Sequence, residues 1–128
     1  MTGTELRNYL DQYLKDRESI PRLIDANKRA AETMVKDLSD KWLIKDIYQH
    51  LEDQNGKIAD KLEKKTVTVT TWAQLIDDQE HRNIYIDRFL KGMTWQKVAK
   101  KHNYSRVNVF RIYDAICDEI IKKTIPNP

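Results

Sequence analysis

Arg106, Asn108 and Arg111 are the side chains whose types and spacing best equip this sequence for chemistry, and that chemistry is recognition rather than bond making. A guanidinium presents a planar fork of donors that fits the O6 and N7 of guanine, and a carboxamide fits the matching edge of adenine. Val107 can meet a thymine methyl, and Phe110 a sugar edge or a base methyl. These five residues, Arg106, Val107, Asn108, Phe110 and Arg111, form the base-reading set expected from the sequence. Thr94, Lys97, Lys100, Lys101 and Ser105 form the accompanying phosphate-holding set, which positions a protein on a duplex without reading it. Asp114 would be repelled by phosphate unless it pairs with an arginine or reads a cytosine amino group. Arg88 is expected to be structural, paired with Asp87 or Glu80.

A helix must carry the readers. Ser105 is a good N-cap, and Val109, Ile112, Ile116 and Ile120 recur at helical spacing as an inward stripe. A step of about 100° per residue then places Val107, Phe110, Arg111 and Asp114 roughly opposite, with Arg106 and Asn108 on the flanks. Asp77 or Asp78 can cap an earlier helix to about Lys91, with Ile84, Tyr85, Arg88 and Phe89 clustered on it. Gly92 stands where a left-handed residue would end that helix. Thr94 caps a short second helix whose Trp95, Val98 and Ala99 point inward, and His102-Asn103-Tyr104 makes a tight turn. The order of caps, turn and small residue is that of a helix-turn-helix.

Charge falls in the same window. From Gln79 to Tyr113 eight Lys/Arg face two acidic residues, a net +6, whereas Met1 to Asp78 has 13 basic and 15 acidic residues. The whole chain carries only +3, so positive charge is concentrated where a polyanion would be met.

The first half reads as scaffold. Thr4 is a candidate N-cap for a helix through about Glu18, on which Leu6, Leu10, Tyr13 and Leu14 share a stripe. Pro21 either interrupts the pattern or opens a second helix near Ser19. Apolar positions from Leu23 to Leu51 keep spacings of three and four, and the helix ends or bends near Gln54-Asn55-Gly56. Residues 66–72 alternate like a strand, yet the heptad-like rhythm runs through them, and helix is the reading adopted. Trp42 and Trp72 are expected in the core. Residues 1–76 are thus a helical hairpin or coiled-coil-like region, a scaffold or a means of homodimer or homo-oligomer formation, and residues 77–123 the DNA-binding domain.

Composition bounds the rest. With 128 residues, 34% charged and 40% hydrophobic, and with 3 Gly and 3 Pro, the chain suits a helix-rich, all-α protein. No apolar run approaches the roughly 20 residues a membrane helix needs, and Met1 leads into charged sequence without a secretory signal. The single Cys117 favours a reducing, intracellular setting. The glycines are isolated and the histidines lack partners at ligand spacing, so neither a catalytic site, a cofactor nor a metal is expected.

The run Arg88-Phe89-Leu90-Lys91-Gly92-Met93-Thr94-Trp95-Gln96-Lys97-Val98-Ala99 resembles the pattern of sigma factor region 4-like domains. Its continuation, Asn103-Tyr104-Ser105-Arg106 and then Val109-Phe110-Arg111-Ile112, is similar to the ending seen in phage transcriptional regulators of the ArpU/RinA-like group. The match spans Asp77 to Ile121. Phe89 stands where Tyr is common and Tyr113 where His is often seen, and Asp114 to Cys117 is less basic than in many relatives. The resemblance implies a sigma region 4-like helix-turn-helix, activation of late genes of a phage or prophage in the bacterial cytoplasm, and contact with host RNA polymerase. A terminase small subunit, or a helical adaptor that binds a host protein, are the alternatives.

Overall fold

The hydroxyl of Thr2, rather than Thr4, accepts the Glu5 amide at 3.1 Å and starts α1, Gly3–Val35. The computed structural model describes residues 1–124. Pro21 lies inside α1 instead of breaking it. It is exposed, so solvent can serve the carbonyl that its missing N–H leaves over. The break comes later, at 36–40, where the Asp40 carboxylate accepts the amides of Trp42 (3.0 Å) and Leu43 (3.2 Å) and caps α2, Lys41–Ala73. The single helix expected from Leu23 to Gln54 is therefore two. Gly56, the expected end, sits inside α2, as do residues 66–72.

Three shorter helices follow: α3, Gln79–Tyr85, which continues into a π-helical turn, Ile86–Leu90; α4, Trp95–His102; and α5, Arg106–Thr124. The described residues are all-helical, with no strand among them. No helix among them is long and apolar enough to cross a membrane.

Two compact units divide the chain, and the division does not fall at residue 76. One comprises Met1–Leu14 with the chain from Thr66 onward, the other Lys15–Lys65. The reason is burial: Leu6, Leu10 and Tyr13 are core residues of the same unit as Val69, Trp72, Ile84, Phe89, Val109 and Ile120. Polar bonds tie the end of α2, and the residues just after it, to the later helices of the same unit. Tyr85 donates to the Val69 carbonyl at 2.7 Å, Arg82 to the Ile76 carbonyl at 2.7 and 3.0 Å, and Lys123 to the Leu75 carbonyl at 2.7 Å.

In the other unit the far parts of α1 and α2 lie antiparallel. Ile24, Asn27 and Ala31 on α1 and Ile47, Leu51 and Asn55 on α2 recur at helical spacings of three and four. Asn27 donates to the Asn55 side-chain oxygen at 3.0 Å, and Asn55 donates to the Ile24 carbonyl at 3.4 Å. A polar pair on an apolar seam fixes its alignment, since sliding the helices strands both amides. Lys65 and Asp16 pair at the other end of the unit. Trp42, expected in the core, is 76% exposed.

Candidate nucleic-acid interface

Local signals set the frame in which the expected readers stand. The Asp78 carboxylate accepts the His81 amide at 2.9 Å and caps α3, a bond that holds its carboxyl below the usual range. Gly92 takes φ 74° after the π-helical turn, the left-handed conformation that a Cβ disfavours. The Thr94 hydroxyl accepts the Lys97 amide at 3.2 Å and opens α4. At the other end of α4, Asn103 adopts φ 59°, and the Tyr104 amide returns to the Ala99 carbonyl at 3.0 Å, so the chain turns sharply. Ser105 then accepts the Asn108 amide at 3.2 Å and starts α5.

The inward face of α5 is Val109, Tyr113, Ile116, Cys117 and Ile120. Tyr113 and Cys117 are buried where Ile112, half-buried, was expected. The aromatic cluster explains the shift: the Tyr113 ring lies 4.9 Å from Trp95 and 5.7 Å from Phe89. Burial pushes the Tyr113 phenol well up from its ordinary value and raises the Cys117 thiol, so both stay neutral.

All five expected base readers are exposed: Arg106, Val107, Asn108, Phe110 and Arg111. Val107 is 61% and Phe110 41% open, on a helix whose opposite face is packed. Phe110 is braced from below by Trp95, ring centroids 5.9 Å apart. Asp114, on the same face, is neutralised by an ion pair with Arg7 of α1. Nothing in the local sequence announces Arg7, which lies 107 residues away.

The phosphate candidates divide. Lys97, Lys100, Arg106 and Arg111 make no ion pair among the described residues, and Lys97 and Lys100 stand exposed on α4. Thr94 and Ser105 are exposed but spend their oxygens on capping. Lys101 is occupied: its ammonium lies 2.9 Å from the Asp87 carboxylate. That carboxylate, 3% exposed, also holds His102 at 2.8 Å and Lys91 at 3.4 Å. Burial alone would raise its pKa; the hydrogen bonds from His102, Lys101 and Lys91 outweigh burial and bring it below the usual range.

Arg88 is structural, though not as an ion-pair partner of Asp87 or Glu80. It donates to the Met93 carbonyl at 2.9 Å and lies over the Trp95 ring at 5.1 Å, and its burial lowers its pKa. Gln96 is the residue sequence reasoning missed: with Ala99, Lys100, Tyr104 and Arg106 it lines a cavity of about 470 Å³ between α4 and the start of α5. An uncharged glutamine on a short helix carries no signal by itself.

Two capped helices, α4 and α5, are thus joined by a tight turn, the second presenting a mixed basic and apolar face on which Arg106 and Arg111 make no ion pair among the described residues. No protein-family model, curated protein or solved structure matches the chain.

Proposed function

We propose that the protein is a sequence-specific regulator of transcription that binds double-stranded DNA through α4 and α5. The N-terminal half of α5 enters the major groove. Arg111 pairs with guanine, Asn108 with adenine, Arg106 reads or clamps at the helix start, and Val107 and Phe110 meet thymine methyls or sugar edges. Lys97 and Lys100 hold phosphates from α4, while Lys101 serves Asp87. The observation that carries this reading is the exposed face of α5, on which Arg106, Val107, Asn108, Phe110 and Arg111 stand together without ion pairs while the opposite face is packed. The resemblance to ArpU/RinA-like regulators adds the finer proposal: activation of phage late genes in the bacterial cytoplasm, with host RNA polymerase as the second partner.

The test begins by selecting a preferred duplex from a random library and measuring binding across salt concentrations. Arg111→Ala weakens binding to the selected duplex by about 1–3 kcal/mol and relaxes one base position. Lys100→Ala weakens all duplexes alike and lowers the salt slope by about one counterion. If neither substitution changes binding to any duplex, α5 is not the reading element.

A further inference from the structure

The unit formed by Lys15–Lys65 does not close a core of its own. Within it only Ala31 and Asn55 are buried. Leu23 is 47% exposed, Met34 62%, Trp42 76% and Leu43 45%. Leu23, Asn27, Ala30 and Met34 repeat at four and three residues along α1, so they share one stripe. Beside that stripe the two helices leave a groove of about 510 Å³, lined by Ala30, Ala31, Met34, Ile47 and Leu51 among others. Ala30 and Ala31 keep its floor low enough for another helix to approach.

We infer that this face is covered by the same face of a second copy of the chain, giving a dimer through a four-helix arrangement of two hairpins. Three observations select that occupant. Lys15–Lys65 carries 12 basic and 11 acidic residues, a net +1, so it neither repels its duplicate nor favours a strongly charged partner. On α2, Trp42 and Leu43 stand one turn before Asp46 and Ile47 of the groove, so with Leu23 and Met34 of the α1 stripe they border it and leave open on the order of 400 Å², an aromatic counting about 150–250 Å² when whole. A standard interface takes about 800 Å² from each partner, of which roughly 65% is apolar in homodimers, so this face supplies most of what a dimer needs. Finally, an antiparallel hairpin can pair with itself about a two-fold axis. Met34 and Trp42, near the turn of one copy, then meet the end of the stripe that holds Leu23 in the other.

This inference does not depend on the DNA-binding reading, and its test contains no DNA. Sedimentation equilibrium of the full chain gives twice the chain mass at tens of micromolar. Met34→Glu with Trp42→Glu raises the dissociation constant by more than about 100-fold, because each substitution is felt twice across a symmetric interface. Circular dichroism confirms that the variant keeps its helix. Where it does not, Ala30→Lys, at an exposed helical position in the groove, carries the same test. Val67→Glu, an exposed apolar residue outside this unit, leaves the dimer intact. A wild-type chain that stays monomeric, including one whose groove binds only a foreign protein, overturns the inference. So does a folded groove variant as dimeric as the wild type, or a Val67→Glu chain that dissociates equally.

Discussion

Asp87 is the place where one substitution tests how the end of α4 is held against the π-helical turn. Its carboxylate sits 3% exposed on the π-helical turn and ties down Lys101 and His102, the last residues of α4. Asp87→Ala leaves His102, 13% exposed, without its partner, while Lys91 and Lys101, at 59% and 49%, can turn to solvent. Breaking a fully buried pair costs about 3–5 kcal/mol, and the exposure of the two lysines lowers this to about 2–3 kcal/mol. For a chain of this size that is a fall in Tm of roughly 10 °C. The pH dependence has a definite sign. The folded pKa lies below the unfolded one, so the unfolded chain binds the extra proton and the stabilisation is present above the unfolded value, about 3.9. It fades as pH falls through the folded value. Thermal unfolding of wild type and Asp87→Asn, which keeps the shape and removes the charge, therefore shows a gap at neutral pH that closes in acid. A Tm for Asp87→Ala within about 2 °C of wild type at neutral pH would refute the clamp. A gap to Asp87→Asn undiminished in acid would assign the effect to something other than the charge.

Gly56→Ala raises stability by about 0.8–1.0 kcal/mol, since nothing lies within 4 Å of the added methyl and α2 is helical throughout; urea unfolding reads it directly. Asn27→Leu costs about 1–3 kcal/mol by stranding the side-chain oxygen of buried Asn55, whereas Asn27→Leu with Asn55→Leu recovers most of the loss, a coupling that a double-mutant cycle measures.

What could be read in advance was the chemistry of short range. Asp78, Gly92, Thr94 and Ser105 act within three residues of themselves, so their cap and turn roles follow from residue type and neighbours. The exposed face of α5 followed from the same local period. Features decided at long range were not legible. The apolar spacing runs on through Val35, Leu38 and Trp42, which hid the turn at 36–37 and the cap that Asp40 supplies. Gly56 and Pro21 looked like breaks because each is costly in a helix, yet a long seam held by Asn27 and Asn55 accommodates the glycine. Pro21 faces solvent. Arg7 pairs with Asp114, and Asp87, besides Lys91 four residues on, holds Lys101 and His102, which no neighbouring residue could forecast. Lys101 was grouped with the phosphate candidates for its charge, which Asp87 uses internally.

The sharing of one core between Leu6, Leu10 and Tyr13 and residues near the other end has a consequence for the order in which the chain can fold as it is made. Arg7 meets Asp114, and Gly3 lies beside Ile121. The hairpin of Lys15–Lys65 depends on neighbours already synthesised and can form early. The unit that carries α5 must wait until the chain beyond Asp114 has left the ribosome, keeping Leu6 and Leu10 exposed in the meantime. A fragment covering only 77–123 never receives them. It lacks a wall of its own core, and such a fragment is expected to aggregate more readily than the full chain.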